Sequence, residues 1–432
     1  MSLVRNLTGR SCSESMPRLG DLDLIEIAEV VLIAVSTVCV FCFNFDTSGG
    51  GKTLTNLTLA MFILVEAVAC LFRGRIEFHA AVKLFGLFVL FCTASIFWSY
   101  SMDLSFDRVQ SLMLMFGYFL ALTNFLMARA QSTDRLIFYA RLLVVGSLIS
   151  ALYLLLTSGW QSGTRITGVI GDSNQASAYL SYSIPLALWC GARRILPRWA
   201  IVSHVAVVGG AIVVMGSRTG LAVAVGGVVL YYLIRRAQKG LLTARTLVGV
   251  IGLVVLVGLV FAFIMTNDVA YEIIGSRFKS FFEIMGGESS SINENSYYER
   301  QRLAELAIQL FLDHPILGVG IDAYASFAAQ SIRDTFSHND YLQLLSCVGV
   351  IGCALYYLQH AYILVLASRM SGSTQAMCIT VLVQLLLFHA FVVFFYQKLE
   401  FVYLAFFVCL VLRSSNRAGS VRTEQGEPDA CR

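Results

Sequence analysis

The chain has 432 residues, 57% hydrophobic and only 13% charged, with a formal net charge of +4. Soluble proteins carry about a quarter charged residues, so a single soluble core cannot absorb this much apolar surface. The composition excludes a soluble globular domain, and the small positive balance reports only on the basic loops described below.

A spanning helix needs about 20 predominantly apolar residues. Twelve such runs follow one another, at 24–43, 54–72, 80–97, 109–127, 136–157, 175–191, 199–215, 219–234, 246–266, 340–367, 376–395 and 399–412. They are continuous, where barrel strands would alternate polar and apolar residues. The expected fold is therefore an all-α, polytopic integral membrane protein with about twelve transmembrane helices. Polar residues precede the first run, which is full length and lacks a small-residue cleavage site, so it is expected to remain as a helix.

Lysine and arginine set the orientation. With residues 1–23 in the cytoplasm (Arg5, Arg10, Arg18), the even-numbered loops carry Arg73/Arg75, Arg129/Arg135, Arg193/Arg194/Arg198, Arg235/Arg236/Lys239/Arg245 and Arg369. The odd-numbered loops hold only Lys52, Arg108, Arg165, Arg218 and Lys398 outside the one long loop. Both termini are expected inside. The chain then divides into a cytoplasmic N-terminus (1–23), nine helices with short loops (24–266), a large outer loop (267–338), three more helices (339–412) and a disordered cytoplasmic tail (413–432).

The outer loop has order written into it. Ser296 with Glu299 forms a capping box for a helix over about 297–313, which Asp313-His314-Pro315 ends. Gly318-Val-Gly320 turns the chain and a short helix follows near 322–331, while "GGESSSINENS" reads as a flexible tip. Nine of the eleven cysteines lie in apolar runs and two in the termini, so no disulfide framework is expected.

Several motifs resemble chemistry without carrying it. "GGGKT" at 49–53 lacks the first glycine of a phosphate-binding loop, since Asp46 stands in its place. Asp21-Leu-Asp23 reads as interfacial charge. Glu66 lies inside the second run, where a carboxylate is expensive and functional by default; His204 and His389 read as hydrogen-bonded packing residues. Charge inside the runs is too scarce for an ion-coupled pump, so a transporter, which would have to work through Glu66 or His389, is the alternative class.

Outer-side charge collects in four places. Arg165 lies in "TRITGVIGDSN", which leads to Asn174 at the start of the sixth run, and Arg218 lies in the tight turn "GSRTG". Arg277, Lys279, Arg300, Arg302 and Arg333 occupy the long loop, and His338 opens the tenth run in "SHNDYLQLL". An interfacial snorkel or an ion pair is the plain reading of Arg218. The sharper one is an anion site, because guanidinium forks grip phosphate with charge-assisted bonds worth about 1.5–3 kcal/mol each. The outer loops show no His/Cys/Asp cluster with ligand spacing, and no metal is expected. Ser337 and Asp340 form a Ser-x-x-Asp start signal that predicts His338 in the first helical turn. The helix dipole and nearby arginines favour a neutral imidazole there, able to accept a proton, whereas a bound diphosphate pushes the other way.

"RITGVIGDSNQASAYL" at 165–180, "GSRTG" at 216–220, "LAIQLFLDHPILGVGIDAY" at 306–324 and "SHNDYLQLLSCVGVIG" at 337–352 together resemble the O-antigen ligase and polymerase superfamily of bacterial inner-membrane glycosyltransferases. The pairing of Asp-His-Pro-x-x-Gly-x-Gly with His-Asn-x-x-Leu is the specific feature. The resemblance implies transfer of a glycan from undecaprenyl diphosphate to an acceptor hydroxyl on the periplasmic side, with no cofactor, metal or ATP. By position, Arg218 and Arg165 would hold the diphosphate and His338 would be the general base, with inversion at the anomeric carbon. Arg300, Arg302, Asn339, Asn174 and His314 are candidate substrate-contacting residues, although Arg300 and Arg302 lie about 200° apart on one helix and cannot both face one site. The sequence departs from the pattern at Cys347, where many relatives carry an acid. Twelve helices with one large late loop favour a ligase whose acceptor is lipid A–core oligosaccharide; a repeat-unit polymerase and a protein O-oligosaccharyltransferase are the alternatives within the family. The expected partners are these two lipid-linked glycans and membrane lipids, with no nucleic acid.

Overall fold

In the computed structural model the described residues are 24–43, 49–128, 132–157, 173–241, 291–333 and 335–424, with isolated positions between 248 and 266. Among them every regular element is helical: α1 (Leu24–Phe43), α2 (Gly50–Arg73), α3 (Ala80–Ser95), α4 (Met102–Met127), α5 (Ser132–Thr157), α6 (Ser173–Ala192), α7 (Arg198–Val214), α8 (Arg218–Ala237), α9 (Ser291–Asp313), α10 (Tyr324–Ser331), α11 (Asp340–Ser368), α12 (Gly372–His389) and α13 (Lys398–Glu424). Eight of these, α1 to α5 with α8, α11 and α12, are long and apolar enough to cross a membrane. Of the ninth apolar run only isolated positions are described, and Asp21, Asp23, Arg165, Arg277 and Lys279 lie outside the described residues.

Four expected boundaries move most. α13 runs on to Glu424, past 412 and into the stretch 413–432 expected as a disordered tail. α4 begins at Met102, seven residues before the apolar run, so the polar stretch around Arg108 is its first turns. α12 ends at His389 rather than 395, and the apolar residues 390–397 form an irregular connection that is mostly buried. α9 begins at Ser291, so Ser296 and Glu299 lie within the helix instead of capping it. Glu299 is occupied by an ion pair with Arg333, which leads out of α10.

Two helices have no free face. Every residue from Lys398 to Val411 of α13 is buried, as is every residue from Gln175 to Ala187 of α6. A helix apolar all round belongs at the centre of a bundle. Phe401 packs on Phe85 and Phe119, Tyr403 on Phe41 and Tyr182, and Phe406 on Tyr139 and Trp189. Two hydroxyls that α6 brings inside bond to their own helix, Ser181 Oγ donating to Ala178 O and Ser183 Oγ to Leu180 O, both at 2.7 Å, and Ser183 Oγ also lies 3.0 Å from His204 Nε2 of α7. Among the described residues all nine cysteines are free.

Glu66 has a structural role. Its Oε1 accepts from Arg73 Nη1 at 3.0 Å, and Arg73 also pairs with Glu29 of α1, which reaches Arg135 of α5 at 3.3 Å. Buried charges are tolerated when paired and hydrogen-bonded, and this network ties three helices together at the end of the bundle opposite His338.

Candidate functional site

The site is built on a broken helix. Gly349 interrupts α11 with φ 61° and ψ −168°, a conformation open essentially to glycine alone. Such a break strands backbone donors and acceptors that lipid cannot satisfy. The segment 315–320 satisfies them: Val319 N donates to Ser346 O at 3.0 Å, Gly320 N to Cys347 O at 2.8 Å, and Val350 N to Pro315 O at 2.9 Å. The two backbones touch. A Cβ on Gly318 would lie 2.4 Å from the Cys347 carbonyl, and one on Gly349 would lie 2.3 Å from Ile316 O. The Asp-His-Pro-x-x-Gly-x-Gly motif therefore forms a backbone junction with residues 346–350 of α11, which follow the His-Asn-x-x-Leu motif at 338–342 in the chain. On its other flank the loop is held by α3 and α4, with Tyr100 N donating to Val319 O and Ile321 N to Ser95 Oγ, both at 3.1 Å. Burial pushes the Tyr324 phenol up; its hydroxyl donates to Leu303 O at 2.7 Å and pins α10 to α9.

His338 stands just before α11, not inside its first turn. The cap is Asn339, whose Oδ1 accepts from Leu342 N at 3.1 Å. Ser337 cannot cap because its hydroxyl donates to Asn339 O at 2.7 Å, while Gln343 Oε1 reaches back to Ser337 N at 2.9 Å. His338 takes a left-handed backbone, φ 57°, with its half-buried ring 4.6 Å from that of Phe336. That conformation costs a non-glycine residue about 1–2 kcal/mol; Arg194 and Asp322 share it.

Asp340, freed from capping, turns inward. Its Oδ1 accepts from Phe394 N at 3.0 Å and Phe395 N at 3.2 Å, in the connection between α12 and α13. Its Oδ2 lies 3.2 Å from the Tyr357 hydroxyl and 3.3 Å from His389 Nδ1. Glu400 then accepts from Tyr356 at 2.6 Å and His360 Nε2 at 2.8 Å. Asn339 Nδ2 donates to Ala390 O at 3.2 Å, a second tie between the His338 turn and the same connection.

Arg108 is a group that the reading of the sequence missed. Its Nε and Nη2 both donate to Asp322 Oδ2, at 3.0 and 2.7 Å, and its guanidinium lies 3.6 Å from the Tyr396 ring centre. One arginine thus clasps α4, the 315–322 loop and the 390–397 connection. Its only sequence signal was an outer-side arginine against the positive-inside bias. Removing one partner of a largely buried pair costs about 3–5 kcal/mol. Arg108→Ala should lose stability on that scale in thermal unfolding of the purified protein, and Arg108→Ala with Asp322→Ala should lose less than Arg108→Ala alone.

Arg218 is the exposed first residue of α8. Ser217 caps that helix by accepting from Gly220 N at 3.1 Å; its hydroxyl donates to Asn174 Oδ1 at 3.0 Å and accepts from Ser177 Oγ at 2.8 Å. Asn174 therefore sits beside Arg218. Gln384 of α12 donates to Val223 O at 3.0 Å. Arg218 lies five residues beyond that contact along α8, and His389 five residues beyond it along α12, or about 7.5 Å each. The helices run antiparallel, so Arg218 and the His389–Ala390 end that touches Asn339 are at the same end of the bundle. Arg300 and Arg302 are exposed on α9, Arg302 donating to Ser331 O at 3.3 Å. His314 is elsewhere, in a cleft of about 420 Å³ lined by Trp98, Tyr100 and 314–318, which includes neither Arg218 nor His338.

Residues 203–357 match the family model described as O-Antigen ligase. The match takes in Arg218, His314, the 315–322 loop, His338, Asp340 and the break at Gly349, and leaves Arg108, His389 and Glu400 outside. No curated protein matches the chain.

Proposed function

We propose that this chain, which belongs to the O-antigen ligase superfamily through residues 203–357, is the ligase itself, joining a glycan carried on undecaprenyl diphosphate to a sugar hydroxyl of lipid A–core at the periplasmic face of the inner membrane. One observation carries the mechanism: the His338 turn is fixed at the rigid start of α11, at the bundle end that also presents Arg218. The imidazole takes the proton of the attacking hydroxyl as its oxygen bonds to the anomeric carbon. The bond from that carbon to the diphosphate oxygen breaks, its electron pair leaving with the diphosphate, and the configuration inverts. Arg218, with Arg165, stabilises the charge that develops on the leaving group. Asn174 orients Ser217 and so the turn bearing Arg218. The transporter alternative would have to work through Glu66 or His389; the first is paired with Arg73 and the second lies between Asp340 and Glu400.

A lipopolysaccharide blot of a deletion strain separates the readings. The ligase reading expects loss of the O-antigen ladder with polymerised glycan accumulating on undecaprenyl diphosphate, restored by the wild-type chain. A single repeat unit on the core would instead identify a polymerase, and an unchanged lipopolysaccharide with an under-glycosylated protein would identify a protein glycosyltransferase.

A further inference from the structure

The described residues hold a group of buried ionisable side chains that the transfer mechanism does not use. Asp340, His389, Glu400 and His360 are each buried, with Tyr356 and Tyr357 between them. They come from three helices, α11, α12 and α13, and they meet next to the turn that carries His338. Charge so deep in an apolar bundle is costly unless it is paired.

The hydrogen-bond pattern fixes the pairing. Tyr357 has one hydroxyl hydrogen, and it points to Asp340 Oδ2 at 3.2 Å. The Tyr357 hydroxyl oxygen is also 3.0 Å from His389 Nδ1, and with its one hydrogen on Asp340 it is an acceptor for a proton on that nitrogen. On the far side of the ring, Nε2 faces Glu400 Oε2 at 3.6 Å, within ion-pair range but beyond a hydrogen bond. A bare lone pair facing a carboxylate would be repelled, whereas a proton on that nitrogen is attracted. His389 thus lies between two carboxylates, 3.3 Å from Asp340 Oδ2 and 3.6 Å from Glu400 Oε2, a setting that favours the imidazolium.

The geometry also shows what the pair holds. Residues 390–397 are irregular, and irregular backbone at membrane depth persists only where protein satisfies its polar groups. Here Asp340 Oδ1 takes the amides of Phe394 and Phe395, and Asn339 Nδ2 takes Ala390 O. Both ties originate in the two residues that follow His338. Asp340 lies in the first turn of α11, where an acid ordinarily favours the helix dipole from the surface, yet its side chain is wholly buried.

We propose that Asp340 and His389 are positioning residues of glycan transfer: their ion pair clamps the 390–397 connection against the first turn of α11 and thereby holds the His338 turn in its reactive orientation. The inference rests on the reading of His338 as the base, and it assigns a role to two residues that touch no substrate. A misplacement of about 1 Å at a reacting group can cost about 100-fold in rate, so the clamp acts on turnover and leaves donor binding at Arg218 alone.

The test uses the full-length protein in lipid nanodiscs, with an undecaprenyl diphosphate-linked glycan as donor and lipid A–core as acceptor. Asp340→Asn keeps an acceptor for the two amides but removes the negative charge; His389→Gln keeps a donor but removes the positive one. Each is expected to lower kcat about 100-fold, with KM for the donor changed by less than about threefold. Asp340→Asn with His389→Gln removes one charge of each sign, and is expected to recover at least about tenfold over either single variant. Amide exchange over 390–397 should speed up in His389→Gln and return towards the wild-type rate in the double variant. Wild-type kcat in the single variants, or a double variant as slow as the worse single one, would overturn the clamp. His338→Ala measured alongside keeps the two failures apart. Full transfer by His338→Ala removes the base reading while the exchange measurement still judges the clamp. Loss in His338→Ala with full transfer by Asp340→Asn removes the clamp alone.

Discussion

Replacing His338 by alanine lowers the rate of glycan transfer by about 10²–10⁴-fold, the contribution of a positioned general base, while the chain still inserts and folds. Folding is spared because the side chain is half-buried at the edge of the bundle and the neighbouring Asn339 supplies the helix cap. The informative companion is His338→Asn. Asparagine tolerates a left-handed backbone better than most residues, so it keeps the turn at φ 57° but has no ring nitrogen to accept a proton. Transfer measured with both variants at matched membrane levels separates the two roles the position could have. If the asparagine variant works as well as wild type, the turn matters and the imidazole does not, and the base assignment is lost.

The second large effect is on stability. Gly349→Ala places a Cβ 2.3 Å from Ile316 O and forces alanine into a conformation that only glycine adopts readily. Backbone strain and overpacking each cost about 1–3 kcal/mol, for a total of about 2–6 kcal/mol. Gly318→Ala meets the same junction from the other side, with φ 69° and the Cys347 carbonyl 2.4 Å away. Both should lower the midpoint of thermal unfolding in detergent and expose the 315–320 segment to protease. The two substitutions together should cost less than the sum of each alone, because either one already separates the strands of the junction. Additive losses would mean that the glycines serve independent purposes.

Much of this architecture is legible in the sequence, and the exceptions have physical causes. Continuous apolar runs locate α1, α6, α7 and α11 to within two residues, since burial and backbone satisfaction in lipid dictate both length and helicity. Starts and stops fare worse where a polar residue has two competing uses. Ser337 and Asn339 are both good caps, and the choice falls to Asn339 because Gln343 and the turn claim Ser337. Asp340 looks like half of a capping box, but the amides of Phe394 and Phe395, more than fifty positions away, claim it. α12 ends at His389 rather than 395: Ala390, Phe391 and Val392 turn their amides back onto its last turn, and Phe394 and Phe395 give theirs to Asp340 of α11 instead of continuing the helix. The reading of His389 as a hydrogen-bonded residue carries over into the structure, with Asp340, Tyr357 and Glu400 as its surroundings. Of the candidate residues, Arg218, Asn174, His338 and Asn339 share one end of the bundle, whereas His314 opens onto a separate cleft and Arg165 lies outside the described residues. The Arg108–Asp322 pair joins positions 214 apart, with no local pattern to announce it.

The placement of α13 bears on how the protein is made. Its fourteen residues from Lys398 to Val411 occupy the middle of the bundle, yet they are translated after every helix that surrounds them. The earlier helices must therefore wait in the bilayer around an unfilled slot, and the aromatic contacts of Phe401, Tyr403 and Phe406 form only once α13 itself has been made. Glu400 arrives in the same step, so His389 gains its second carboxylate only with α13. A nascent chain that stalls before this point has no filled centre and leaves His389 with Asp340 alone as its carboxylate, so biosynthesis withholds the finished site until α13 has been made.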